Sequence, residues 1–407
     1  MTAAADPATV ETFARHLARP GREDGQAPWS GQSLAEGAAG IALLHIERAR
    51  TGADTWQQAH AWITRAAARE VSAADTTGLY LGAPALSYTL HTAADPTERY
   101  QQARRTLDQH IHRLAHRRTA AARTLITAGH VGGFREYDLF YGLTGIGALL
   151  LRTAPGSSAL EEVLHYLVAL TRPLLLQGRR LPGWWVGHDP RNPDRPSSGG
   201  GHANLGIAHG ICGPLALLSL AQIRGVTVEG QHEAITTVCD WLDSWKQIGP
   251  SGAWWPETVT LNDAATGRPH QRGPARPSWC YGTPGITRAG QLAALATRDP
   301  CRQHAFEQAL ADCLADPAQL AQITDTSLCH GWAGLFQTAW RACRDATSPA
   351  LAGHLPALAD ALSQRARPGS MQGPGFLTGD AGTALALATA VDDTAPTSGW
   401  DTCILIN

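Results

Sequence analysis

WCYGTPGITRAGQLAAL (Trp279 to Leu295) holds a unit that the rest of the chain repeats: a glycine, two residues, a second glycine, then an apolar run rich in alanine and leucine. Upstream, Gly210 and Gly213 head PLALLSL, Gly142 and Gly145 head IGALLL, and Gly37 and Gly40 head IALLHI. Downstream, Gly331 and Gly334 head LFQTAW, and Gly379 and Gly382 head TALALAT. A degenerate copy, LYLGAPALSYTL (Leu79 to Leu90), has Gly82 but carries Ala85 where the second glycine belongs. These are seven copies, with first glycines 45 to 72 residues apart.

The runs after the glycines have little β-branching, which favours helix over strand. They are apolar nearly all round, as a helix buried on every side must be. Between them lie amphipathic segments such as Val228 to Ile248 and Pro300 to Ala315, which read as outer helices with one wet face. Seven buried helices alternating with seven half-buried ones predict an all-α chain closed into an α/α toroid. A ring gives every inner helix the same two kinds of neighbour, and the glycines let backbones approach where inner helices begin. The alternative is a linear helical solenoid, whose familiar repeats lack the Gly-x-x-Gly signature. The expectation is one domain over residues 1–407.

Equivalent positions in a ring share one height, so polar residues just before each first glycine are expected to meet. Cys280 and Cys329 stand two residues before it in the fifth and sixth copies. His209 and His330 stand one residue before it in the fourth and sixth. Asp138 precedes Gly142 by four, and Arg276 precedes Gly282 by six. Neighbouring helices pack about 8–10 Å apart, so donors on adjoining turns can converge. Catalytic zinc uses three protein ligands and keeps a fourth position open, a count that Cys280, Cys329 and His330 meet. Consecutive Cys and His point apart on a helix, so Cys329 and His330 are expected on the turn before Gly331. Each residue also has a plainer role. A free cysteine packs as a small hydrophobe, a histidine at a helix start bonds a carbonyl, Asp138 caps a helix, and Arg276 is a surface cation.

Bulk properties exclude several classes. The 407 residues are 43% hydrophobic and 17% charged, with a formal charge of -2, unlike a dedicated nucleic-acid binder. No apolar stretch approaches the roughly 20 residues of a membrane span, and MTAAADPATVETFARHLARP lacks the layout of a signal peptide. A cytoplasmic location is expected. The eight cysteines form no CxxC pairs, so any metal site is assembled from distant segments.

NLGIAHGICGPLALL (Asn204 to Leu218), RPSWCYGTPG (Arg276 to Gly285) and LCHGWAGL (Leu328 to Leu335) resemble the lanthionine synthetase C-like family of lanthipeptide cyclases. YDLFYGLTGIGALLL (Tyr137 to Leu151) and WDTCILIN (Trp400 to Asn407) resemble it too, so the likeness runs along essentially the whole chain. The resemblance implies an α/α toroid with one zinc ion, Zn2+, at its mouth. It implies addition of a peptide cysteine thiol to dehydroalanine or dehydrobutyrine, giving lanthionine or methyllanthionine. By motif position the zinc ligands fall on Cys280, Cys329 and His330, the acid/base histidine on His209, and supporting groups on Asp138, Arg276 and Tyr281. Its partners would be a dehydrated precursor peptide with its leader and a separate dehydratase, because no kinase motifs accompany the cyclase region.

Some family members carry a β-rich insertion. The stretch Thr89 to Phe134 is instead rich in helix formers, so at most a small or reduced insertion is expected. Its basic run HIHRLAHRRTAAAR reads as a solvated helix face in preference to a docking site. Two tryptophan-bearing loops, LPGWWVGHDP and SGAWWPETV, either wall the site or cap the barrel, capping being the preferred role. Other functions compatible with the pattern are zinc-dependent thiol alkylation by another toroid enzyme, glutathione addition to dehydro residues, and a non-catalytic peptide-binding scaffold.

Overall fold

The structure, a computed structural model, describes residues 6–21, 29–94, 98–176, 178–190, 192 and 194–407. Fourteen helices of ten or more residues appear among the described residues. In chain order they are α1 (Pro7–His16), α2 (Ala38–Arg50), α3 (Trp56–Ala66), α4 (Ala83–Ala94), α5 (Gln101–Thr127), α6 (Leu143–Thr153), α7 (Ser158–Leu170), α8 (Cys212–Ile223), α9 (Gln231–Trp245), α10 (Thr283–Thr297), α11 (Pro300–Ala315), α12 (Trp332–Asp345), α13 (Leu355–Arg365) and α14 (Asp380–Asp392). The only strands among the described residues are three-residue pieces in two-stranded sheets, so the fold is largely helical with no closed sheet.

Every even-numbered helix follows a repeat glycine and is buried nearly throughout; in α8, Cys212 through Ala221 are all buried. Odd-numbered helices bury one stripe: α9 buries Ala234, Ile235, Val238, Cys239, Leu242 and Trp245. That is the spacing of a single helical face. Even-numbered helices pack in sequence, α2 on α4, α4 on α6, α6 on α8, α8 on α10, α10 on α12 and α12 on α14, and α14 packs back on α2. Each odd-numbered helix lies against an even-numbered one: α1 on α14, α3 on α2, α5 on α4, α7 on α6, α9 on α8, α11 on α10 and α13 on α12. The result is a toroid-like helical bundle.

The second glycine of the repeat has one job in six copies. A Cβ at Gly40, Gly145, Gly213, Gly285, Gly334 or Gly382 would press into the main-chain carbonyl six residues earlier, on the turn that feeds the helix. In the second copy Ala85 is accommodated, and the preceding Gly82 takes φ +67°, which glycine adopts without strain. The fourth copy departs from the expected helix start. Its helix begins at Cys212, two residues beyond Gly210, with the Ile211 amide donating to the Asn204 carbonyl.

The C-terminal residues Trp400 to Ile406, half-buried Thr402 excepted, lie buried among several copies. The Tyr80 hydroxyl donates to the Cys403 carbonyl at 2.9 Å, Arg288 Nε to Ile406 at 2.9 Å, and Arg341 holds the buried Asp401 through two 2.7 Å bonds. Trp279 Nε1 donates to the Ile404 carbonyl at 2.9 Å, which anchors the residue beside Cys280. Within the stretch considered for an insertion, residues 101–127 form the single helix α5; residues 95–97 lie outside the described residues. Its basic run is engaged within the chain. Arg117 pairs with Asp75, Arg123 with Glu162, and Arg118 donates to the carbonyls of Thr77, Tyr141 and Arg135.

Candidate metal centre

The turns before the even-numbered helices are joined edge to edge by main-chain hydrogen bonds. The residue two or three before a first glycine donates to the carbonyl of the residue two before the next copy's first glycine. Leu139 donates to Ala208, Ala208 to Cys280, Cys280 to Cys329, Cys329 to Leu377, Leu377 to Ala35 and Leu34 to Tyr80, at 2.8 to 3.3 Å. Between the second and third copies, Gly78 lies directly against the Phe140 and Tyr141 backbone. A second set of bonds shapes each turn from within. Ser278 Oγ accepts from the Gly282 and Tyr281 amides, Ser327 Oγ from His330, and Ser33 Oγ from Glu36. Side chains at equal register therefore emerge at equal height.

Cys280, Cys329 and His330 meet on this platform, with one ligand atom of each within 4.8 Å of the other two. Cys329 and His330 lie on the turn, ahead of α12. The hydrogen bond from Cys329, then those from His330 and Ser278, hold the Cys280 thiol well below its ordinary range. Asp325 first, then Cys280, raises His330 to about 9. Burial pushes the Asp325 carboxyl up, but the His330 and Ser327 hydrogen bonds win and hold it well below the usual carboxylate range. His330 Nε2 lies 3.3 Å from Asp325 Oδ2. Soft donors gathered here, with one thiol poised to lose its proton, suit a thiophilic cation bonded at about 2.3 Å to sulfur and 2.0–2.1 Å to nitrogen. The cluster is thus capable of coordinating a metal ion.

His209 Nδ1 lies 2.6 Å from Oδ2 of Asp138, which is wholly buried. Burial raises the Asp138 carboxyl, against the opposing effect of His209 and two backbone amides. Those amides, of Tyr141 and Gly142, each donate to Asp138 Oδ1 at 2.7 Å. Asp138 therefore caps the turn with one oxygen and holds His209 with the other. Four aromatic rings surround that histidine: Phe140 at 4.8 Å, Phe134 at 4.9 Å, Tyr141 stacked at 5.9 Å and Tyr281 at 6.2 Å.

Tyr281 is half-buried next to Cys280; burial raises its phenol, against a hydrogen bond with Asn204. Arg276 is half-buried. The Cys280 hydrogen bond and burial push the Cys329 thiol up, and the charge of Arg276 opposes them. Arg276 thus stands within electrostatic reach of the cluster.

Trp184, Trp185, Trp254 and Trp255 are all buried. Their loops are stitched together where the strand His202–Asn204 pairs antiparallel with the strand Thr258–Thr260 and Leu205 donates to the Glu257 carbonyl at 3.0 Å. They act as packing that steadies the turns of the fourth and fifth copies.

Sequence reasoning missed Asp325, Asn204 and three of the rings around His209, those of Phe134, Phe140 and Tyr141. Asp325 and Asn204 stand six residues before Gly331 and Gly210, the register position that singled out Arg276, so the same rule applied throughout finds both. Phe134 carries no such signal, because its place beside His209 depends on how the loop before α6 folds.

A profile described as "Lanthionine synthetase C-like protein" matches residues 28–405. The chain is 20% identical over 272 residues to the nisin biosynthesis protein NisC of Lactococcus lactis subsp. lactis. That match spans 64% of this chain and 61% of NisC, less than two thirds of the relative's length. Among solved structures, a nisin cyclase superposes with a TM-score of 0.79 at 19% identity, over 98% of this chain and 95% of the other, a likeness of fold.

Proposed function

The chain belongs to the lanthionine synthetase C-like family, and from that premise we propose that it is a cyclase closing thioether rings in a dehydrated peptide. The supporting observation is the approach of Cys280, Cys329 and His330 to within 4.8 Å of one another, with the His209–Asp138 pair on the neighbouring turn. We read the helix packing as one domain, a double ring of seven inner and seven outer helices, with α5 in place of any larger insertion. The substrate is a precursor peptide with leader, carrying cysteine and dehydroalanine or dehydrobutyrine delivered by a separate dehydratase in the cytoplasm. Among the described residues no helix is long and apolar enough to cross a membrane.

Cys280, Cys329 and His330 would hold a zinc ion, which when bound supplies the Lewis acidity that keeps a substrate thiol ionised at neutral pH, below the free thiol value near 8.5. His209 moves the protons. Its Nδ1 is engaged by Asp138, so Nε2 accepts the proton that leaves the thiol. The sulfur attacks the β-carbon, a carbon–sulfur bond forms, and the π pair moves onto the α-carbon and its carbonyl as an enolate. Nε2 then returns the proton to the α-carbon, and mass is conserved. The buried Asp138 carboxylate holds the histidine's orientation and favours its cationic form between the two transfers. Arg276 and Tyr281, flanking Cys280, stabilise charge on the enolate oxygen.

The test is metal analysis of the purified protein together with incubation on a dehydrated, thiol-bearing peptide. Ring closure leaves mass unchanged, so the readout is loss of alkylatable thiols. About one zinc per chain and falling thiol count are expected. A zinc-loaded protein that consumes no thiol overturns the cyclase reading.

A further inference from the structure

We infer that Asp325 aims the His330 imidazole, fixing which of its nitrogens faces the metal. The inference rests on the metal reading above and extends it to a residue outside the ligand set. Two hydrogen bonds and one close imidazole–carboxylate contact form a small circuit here. The Ser327 amide donates to Asp325 Oδ1 at 2.8 Å, the His330 amide donates to Ser327 Oγ at 3.2 Å, and His330 Nε2 meets Asp325 Oδ2 at 3.3 Å. The circuit is anchored beyond itself, because the Trp332 amide at the head of α12 donates to the Asp325 carbonyl at 3.1 Å. The backbone that carries the carboxylate is thus tied to the helix start, and the Ser327 amide holds the carboxylate itself.

An imidazole has two nitrogens and, when neutral, one proton. A carboxylate can only accept, so a partner at Nε2 requires the proton there. That leaves the Nδ1 lone pair free for a cation shared with the Cys280 and Cys329 sulfurs. Histidine ligands commonly have such a carboxylate behind them, which fixes the tautomer and raises donor strength. Were Asp325 only a turn former, Oδ1 and its main-chain carbonyl would do the whole task, and asparagine would serve as well. The second oxygen is what distinguishes the two roles.

The test compares zinc affinity, by competition with a chromophoric chelator at fixed pH, in the full chain and in Asp325→Asn, Asp325→Ala and Ser327→Ala variants. Asparagine keeps an acceptor for the Ser327 amide but presents an amide N–H to Nε2, which drives the histidine proton to Nδ1. Asp325→Asn is expected to bind zinc about 10- to 100-fold more weakly, with the thermal midpoint of the metal-free protein unchanged. Asp325→Ala is expected to weaken zinc binding at least as much, and Ser327→Ala to stay within about 3-fold of the parent, since only a turn bond is lost. Equal affinity in the parent and Asp325→Asn overturns the inference and leaves the metal reading standing. An equal loss in Ser327→Ala assigns the effect to the turn and also overturns it. A parent that takes up no zinc removes both.

Discussion

The turns of the fifth and sixth copies and those of the seventh and first share a backbone and differ in what it displays. Cys280 donates to Cys329, Cys329 to Leu377, and Leu377 to Ala35, one unbroken series of main-chain bonds. In all four copies a Cβ on the second glycine would strike the carbonyl six residues earlier. Two residues before the first glycine, however, stand two thiols in one pair of copies and Ala35 and Leu377 in the other. One residue before it stand Tyr281 and His330 against Glu36 and Thr378. Closure of the bundle is thus carried by backbone and glycine, and chemistry by side chains set on a platform that is present either way. The two can be varied separately.

The largest expected effect comes from removing a donor. Cys280→Ala or Cys329→Ala should abolish tight zinc binding and ring closure, because two ligands cannot hold the ion against chelators. Ala35→Cys, which places a thiol at the same register in the first copy, should add no second zinc by metal analysis. A second bound ion there would break the comparison, since it would mean that register alone makes a site.

Next in size is His209→Ala, expected to keep zinc and lower the rate of thiol loss by about 10²- to 10⁴-fold. Full rate with zinc retained would remove His209 from the proton path.

Asp138→Asn should fall in the lower part of that range and separates the two duties of Asp138. Asparagine still offers the turn an acceptor, so the fold should persist. Burial raises the Asp138 carboxyl in the folded protein. The raised group favours folding while it is protonated, below the unfolded value of about 3.9. That advantage is lost as pH rises through the folded value. Denaturant titrations across this range should therefore show Asp138→Asn gaining stability relative to the parent as pH rises. A gap that is flat with pH would deny the burial penalty.

The smallest effects test the scaffold. Gly382→Ala should cost about 1–3 kcal/mol by urea unfolding, because its Cβ has only the Phe376 carbonyl and the Leu328 side chain to enter. Ala85→Gly should cost roughly 0.5–1 kcal/mol, since the second copy already accommodates a methyl group there. A Gly382→Ala variant that is more stable than the parent would mean that the glycine is not required by close approach, since helix propensity alone favours alanine.

Much of this was legible in one dimension. Repetition of Gly-x-x-Gly before runs apolar on every side announced buried helices, because such a run must be covered all round. The same register, counted backward from Gly282 and Gly331, singled out Cys280, Cys329 and His330. Register and resemblance pointed to Asp138 as a support for His209, but which oxygen meets which nitrogen was not readable from the chain. They are 71 residues apart, and only the packing of α6 against α8 sets the hydrogen bond between their turns. The contact of Asp325 with His330 Nε2 likewise depends on how one turn folds back on itself, and the burial of Trp400 to Ile406 on how many helices surround a tail. Spacing along the chain determines height and face, because helices and turns repeat. Which side chains then touch is decided by distances between helices that no local pattern encodes.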